Sequence, residues 1–258
     1  MDDAAVEAEA SLMVADELEI TLPIPQARSV LALVETRRGD LAKARDHLRA
    51  AETGSGTNTT QRYGPWVSLA CAALADAEGE DGEAAMALTA SFKSREPTRL
   101  LAVPPSHWPG IVRIALRDED PSLAQAVSGA LSSLTAQDES RQIIGAVRAH
   151  VDGLLHRDPH ALASAITGYR GTGRPLALAA ACEDLGELMA ASADTTTAIP
   201  YFEEASQLAS ASGAGRDQER IRQRLRRLGV RTAPVRNHTA GPQVGDSDRI
   251  RAETDSRP

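Results

Sequence analysis

Five arginines crowd into one short stretch: Arg220, Arg222, Arg224, Arg226 and Arg227. Guanidinium groups at this density can meet phosphates in a salt-sensitive, sequence-blind contact. The same run also suits the polar face of an end helix, where the dipole favours cations near the C-terminus. No aromatic side chain is interleaved, so stacking on single-stranded bases is not expected. His156 and His160 stand four apart, as helix-borne zinc ligands do, but Pro159 breaks the helix between them. No glutamate follows His156 as a zinc protease would need, so no metal site is expected there. Gly171-Thr172-Gly173-Arg174 lacks the lysine of a phosphate loop and follows a helical pattern instead of a strand, so it reads as a connection between units. Gly54-Ser55-Gly56-Thr57 reads as a flexible connector, and Arg38-Gly39-Asp40 as a turn despite spelling an adhesion tripeptide. Glu203-Glu204 suits a solvated helix face. Cys71 and Cys182 are too far apart for a metal motif and sit in apolar runs, which predicts buried free thiols. With no buried carboxylate pair expected, and no Ser/His/Asp or Cys/His pattern on turns, the sequence predicts no catalytic residue, no cofactor and no enzyme.

The elements that would position these residues follow from composition. The chain has 258 residues, of which 46 are alanine and only seven are aromatic. Pleated sheets need β-branched and aromatic side chains to fill their faces, which all but excludes an all-β fold. Alanine is the best helix former, so the expectation is an all-α protein. The net charge of −8 argues against nucleic-acid binding by the surface as a whole. The charge is uneven, with seven acids and no base in residues 1–20 but eight arginines against Asp217 and Glu219 in residues 216–236. No apolar run approaches the roughly 18 residues of a membrane span. The acidic N-terminus does not resemble a signal peptide, so no membrane partner and a cytoplasmic location are expected.

A helix–turn–helix unit recurs along the chain. Its turns read Arg38-Gly39-Asp40, Glu80-Asp81-Gly82, Glu119-Asp120-Pro121, Arg157-Asp158-Pro159 and Ala193-Asp194-Thr195, with aspartates 41, 39, 38 and 36 residues apart. Four residues after each aspartate come Ala44, Ala85, Ala124, Leu162 and Ala198, and eleven after come Ala51, Phe92, Leu131, Tyr169 and Ala205. Small residues near the turn and generally larger ones beyond are what paired helices need. The aspartates are expected to cap helix starts. Apolar faces support the pairing: Ile143, Ile144, Val147, Val151, Leu154 and Leu155 are answered by Leu162, Ile166 and Tyr169. Leu178, Cys182, Leu185 and Met189 are likewise answered by Ile199, Phe202 and Leu208.

Three loops are expected between units, at Gly54–Gly64, Val103–Gly110 and Gly168–Pro175, and Pro200 predicts a late or kinked helix start. Val6, Ala10, Met13, Val14 and Leu18 give one N-terminal helix with an apolar stripe, which reads as the second half of a hairpin begun upstream of Met1. The last helix is expected from about Asp217 to Leu228, striped by Ile221, Leu225 and Leu228 and stopped at Gly229. Residues 1–230 then form one domain of about five hairpins plus a first and an end helix, an α-solenoid-like, tetratricopeptide-like stack with a concave face for partners. Residues 231–258 have no periodicity and are expected to be a disordered tail.

One stretch of wording points further. Arg174-Pro175-Leu176-Ala177, Glu183-Asp184-Leu185-Gly186, Tyr201-Phe202-Glu203-Glu204-Ala205 and Arg224-Leu225-Arg226-Arg227-Leu228-Gly229-Val230 together resemble the end of the helical-repeat region of large actinobacterial LuxR-type transcriptional regulators. In that family an ATP-binding domain precedes the helical region and a helix-turn-helix follows it. The chain has neither a phosphate loop nor periodicity after Val230 to match those ends. The resemblance therefore implies a non-catalytic sensing or coupling domain of a truncated regulator. Its concave face would take a protein or small-molecule effector, and DNA would be reached only indirectly through the missing helix-turn-helix. The alternative is a stand-alone scaffold that binds a protein or peptide partner.

Overall fold

Alanine decides how closely the helices approach. In a computed structural model, which describes residues 1–53, 57–92, 97–137 and 142–231, Ala32, Ala44, Ala70, Ala165, Ala181, Ala198 and Ala205 are all fully buried at helix contacts. The described residues form twelve α-helices and no strand. These are α1 (Asp2–Glu17), α2 (Ile24–Arg38), α3 (Leu41–Thr53), α4 (Thr57–Glu78), α5 (Asp81–Phe92) and α6 (Trp108–Arg117). There follow α7 (Pro121–Gln137), α8 (Gln142–His156), α9 (Pro159–Tyr169), α10 (Pro175–Ala191), α11 (Thr195–Ala211) and α12 (Gly215–Arg227). Two 3-10 turns, Pro97–Ala102 and Pro105–His107, lie between α5 and α6. Helices joined by tight turns pack on each other: α2 on α3, α4 on α5, α6 on α7, α8 on α9 and α10 on α11. Sequential packing then continues through α11 on α12, and α12 returns to pack on α2. The helix array thus closes on itself.

One backbone device makes all five turns. The first or second residue after the helix enters the left-handed region, at Gly39, Gly79, Glu119, Arg157 and Ala193, with φ of 102°, 82°, 53°, 52° and 62°. The next backbone N–H then reaches back to the carbonyl five residues earlier, as in Asp40 to Glu35, Asp120 to Ala115, Asp158 to Gly153 and Asp194 to Met189, at 2.9 to 3.0 Å. This satisfies helix-end carbonyls that would otherwise lack donors. The same aspartates then start the following helix. Asp40 accepts from the Lys43 N–H at 3.1 Å, Asp120 from Ser122 at 3.0 Å, Asp158 from His160 at 2.8 Å and Asp194 from Thr197 at 3.1 Å. The turn before α5 differs from the expectation. Glu80 occupies the position before α5, and Asp81 is the first helical residue, its carboxylate bonded to Arg117 at 3.0 Å.

The repeat positions behave as a core. Ala44, Ala85, Ala124, Leu162 and Ala198 are buried, as are Ala51, Phe92, Leu131, Tyr169 and Ala205. One large cluster runs from α4 to α12, and a smaller one (Ala32, Ala44, Leu48, Ala70 and Leu74) joins α2, α3 and α4. Three local expectations are corrected. Residues 57–64 belong to α4 instead of a loop, and Pro65 lies inside that helix. The segment 103–110 is mostly ordered as a 3-10 turn and the start of α6. Helix α11 starts at Thr195, ahead of Pro200, so the proline does not delay it. Cys182 is buried and Cys71 half-buried, both as free thiols. Gly54-Ser55-Gly56 and the tail after Arg231 lie outside the described residues.

Helix α1 packs on α2 through Ala5 and Ala8 against Ala27, Leu31 and Val34. Its expected stripe faces away: Val6, Met13 and Leu18 are 63%, 64% and 63% exposed, with Ala10 and Val14 also exposed. Alanines are small enough to seat this helix, and the larger apolar side chains are left uncovered.

Candidate functional site

The closure between α12 and α2 is built from both backbone and charge. The α12 N-terminus meets the α2 C-terminus so closely that a Cβ on Gly215 would stand 3.2 Å from the Arg38 carbonyl oxygen. The opposed ends of two helix dipoles attract in this arrangement. Asp217 of α12 accepts from Arg37 of α2 at 2.8 Å and from Arg220, one turn on, also at 2.8 Å. Burial alone would raise the Asp217 carboxyl, but Arg37 and Arg220 outweigh it and hold it below the usual carboxylate range. Arg216 donates to the Ala77 carbonyl at the end of α4.

Behind this closure lies a cavity of about 510 Å³. Leu33, Leu69, Ile111, Ile114 and Leu176 give it apolar wall, while α2 contributes Arg37 and α12 contributes Arg216 and Arg220. A second cavity, of about 530 Å³, shares Asp76, Arg113, Arg117, Glu183, Arg216 and Arg220 with the first. These six side chains therefore stand between the two spaces.

Two adjacent acids anchor that partition. Glu183 and Asp184 of α10 are 6% and 7% exposed, which corrects the expectation that the chain buries no carboxylate pair. Buried charges need partners, and both have them. Glu183 accepts from Arg220 at Nε (2.9 Å) and Nη2 (2.8 Å), a bidentate fork, and also from Arg224. Asp184 pairs with Arg113 Nε at 2.8 Å and with His150 Nε2 at 2.6 Å. Burial works to raise the Asp184 carboxyl, but the Arg113 charge and the His150 hydrogen bond prevail and lower it. Desolvation lowers His150, so the imidazole is neutral. An ionised Asp184 can only accept, which puts the His150 proton on Nε2 and leaves Nδ1 to accept from the Tyr169 hydroxyl at 3.3 Å. Both ring nitrogens are therefore engaged within the protein. A His–Asp pair is a familiar general base, but this one has no lone pair turned toward a substrate.

His107 faces the first cavity with its ring edge-on to Trp66, centroids 6.2 Å apart. Desolvation, aided by the charges of Arg37 and Arg174, pushes its pKa down to about 4.

The arginine run is split by the helix it occupies. Arg220 and Arg224 turn inward to Glu183, and Arg224 also reaches Glu187. Arg226 pairs with Glu219 at 2.6 Å, and Arg227 is exposed. Arg222 is half-buried, with no ion pair among the described residues. Outward phosphate contact by this run would thus fall to Arg222, Arg226 and Arg227. His156 and His160 are exposed on α8 and α9, on either side of the turn, and no metal-binding group of three or more His, Cys, Asp or Glu side chains occurs among the described residues. No described helix is long and apolar enough to cross a membrane. Sequence reasoning missed His150, Arg113 and His107. His150 lies next to Val151 on an otherwise apolar face, a signal that a buried polar group needs a partner, but nothing local names Asp184 as that partner. Comparison with family models, with curated proteins and with solved structures finds no match to the chain.

Proposed function

We propose that this chain is a non-catalytic sensing or coupling domain, the role that the helical region plays in LuxR-type regulators. The observation that carries this reading is the closure of α12 on α2 beside a cavity lined by both helices. A ligand in that space touches both ends of the array at once. It biases the closed arrangement by whatever difference in affinity it has for the closed and open forms. The helices are read as an α-solenoid-like, tetratricopeptide-like stack whose ends have met, working in the cytoplasm. The engaged nitrogens of His150 support a structural role for the His–Asp pair. The test is native mass spectrometry of the purified chain, followed by hydrogen exchange with and without any small molecule it retains. The expected result is a retained small molecule whose removal raises exchange in α12 and in the C-terminal turn of α2. Unchanged exchange in both helices would sink the reading. Translation of the coding sequence on either side tests the kinship with such regulators, which predicts a helix-turn-helix downstream.

The exposed stripe of α1 favours a second reading, a stand-alone scaffold that takes a protein or peptide partner. Under that reading a Met13→Asp chain loses a partner captured by the native chain, and no small molecule is retained.

A further inference from the structure

The first cavity is out of charge balance. Six arginines line it (Arg37, Arg113, Arg117, Arg174, Arg216 and Arg220) against three carboxylates, Asp76, Glu183 and Asp217. This excess sits inside a protein whose net charge is −8. The surplus is concentrated at two residues. Arg174 is exposed at the cavity rim, just before α10, and makes no ion pair or side-chain hydrogen bond among the described residues. Arg216 donates to the Ala77 carbonyl and has no carboxylate within ion-pair distance among the described residues. Its environment is correspondingly unfavourable to charge, since desolvation and the neighbouring Arg220 both lower its pKa. His107, on the same wall, is depressed by burial and then by Arg37 and Arg174. Neighbouring arginine charge thus weighs on both Arg216 and His107, while Leu69, Ile111 and Leu176 give the space an apolar side.

We propose that this cavity binds a small organic anion, with a carboxylate or phosphate head met by Arg174 or Arg216 and an apolar body against Leu69, Ile111 and Leu176. The inference rests on the sensing reading above and specifies its ligand class. A volume of about 510 Å³ lies within the range of small-molecule sites. The head supplies the counter-charge that these two arginines lack, without displacing the existing pairs of Arg37, Arg113, Arg117 and Arg220.

The test is calorimetric titration of the whole chain, at constant ionic strength, with octanoate, octyl phosphate and octylammonium, paralleled by thermal unfolding. Octanoate or octyl phosphate is expected to bind and to raise the Tm, the tighter of the two identifying the head group. Octylammonium is expected to do neither. Arg174→Gln, at an exposed and unpaired position, is expected to leave the Tm of the free protein unchanged and to weaken anion binding about tenfold, the loss of one charge-assisted hydrogen bond. Arg174→Lys should recover part of it. Equal binding of octylammonium overturns the proposal, as does native-like affinity in both Arg174→Gln and Arg216→Gln, or no binding of either anion up to about 10 mM. If both anions fail while a neutral or cationic molecule is retained in native mass spectrometry, the ligand class falls and the sensing reading survives. If nothing is retained, both fall.

Discussion

At the scale of residues, the interior is organised by a few polar side chains whose charges are fixed by their neighbours. His107 makes the clearest prediction. Its folded pKa of about 4 lies below the ordinary histidine value, because burial and then Arg37 and Arg174 disfavour the proton. Between the two values the unfolded chain binds a proton that the folded chain refuses, so stability rises with pH across that window. Lowering the pH from 7 to 4.5 should cost about 2 kcal/mol through this side chain. His150, also depressed by burial, acts in the same direction. Asp184 and Asp217 are held low by their arginines, so their contributions persist until the pH falls below the ordinary carboxylate range. Urea denaturation of the native chain and of His107→Gln at pH 7 and pH 4.5 checks this. The variant should lose distinctly less stability over the interval, and parallel losses would refute the assignment. The His150–Asp184–Arg113 cluster should instead respond to deletion. Asp184→Asn leaves Arg113 without its carboxylate beside a buried imidazole, and a loss of about 3 kcal/mol is expected.

At the scale of elements, close approach and turn chemistry set the stability. On α9, a Cβ added at Gly168 would stand 2.8 Å from the Ala146 Cβ and 3.2 Å from its Cα on α8. Backbone cannot swing aside as a long side chain can, so Gly168→Ala should separate the two helices and cost about 1–3 kcal/mol, read from the denaturation midpoint. Ala193 holds φ at 62°, where an L side chain crowds its own backbone. Ala193→Gly relieves that crowding, partly offset by glycine's larger unfolded-state freedom, and should stabilise by about 0.5–1 kcal/mol. Much at this scale was legible in the sequence, because the turns are local. The aspartates at 40, 120, 158 and 194 announce caps through residue type alone, and Ala44 through Ala205 announce a buried face through spacing. Asp81 departs from the pattern because it lies inside the first turn of α5, where its carboxylate meets Arg117, a partner 36 residues away. The helical start at Thr57 was hidden by Gly64 and Pro65, residues that usually mark loops. Glu183 and Asp184 look like any exposed acidic pair, since their partners Arg220, Arg113 and His150 lie 37, 71 and 34 residues away. Which charges are buried was decided by packing, and no local pattern encodes it.

At the scale of the whole molecule, the question is what keeps an array of neighbouring helices from remaining open-ended. Contacts between successive helices do not by themselves bring α12 back to α2. The return contact depends on a small number of groups: Gly215, whose missing side chain permits the approach to Arg38; the opposed helix ends; and Asp217, which bonds to both Arg37 and Arg220. Asp217 is the member whose removal is most informative, because the neutral amide keeps its shape and loses its charge. Asp217→Asn leaves Arg37 and Arg220 facing each other with one fewer counter-charge, while Glu183 still holds Arg220 to α10. The α10–α12 packing should therefore survive and the α12–α2 contact should weaken. The expected outcome is an increased radius of gyration in small-angle X-ray scattering and faster hydrogen exchange in the C-terminal turn of α2, with the helix content in circular dichroism unchanged. Arg37→Gln should reproduce the effect, and the double variant should be no worse than either single one if the two side chains act only through each other. Raised salt should weaken the closure only modestly, because Asp217 is largely shielded from solvent. A scattering profile identical to that of the native chain would mean that apolar packing and backbone approach hold the ends together unaided. The charges at Arg37 and Asp217 would then belong to the cavity they border, not to the closure.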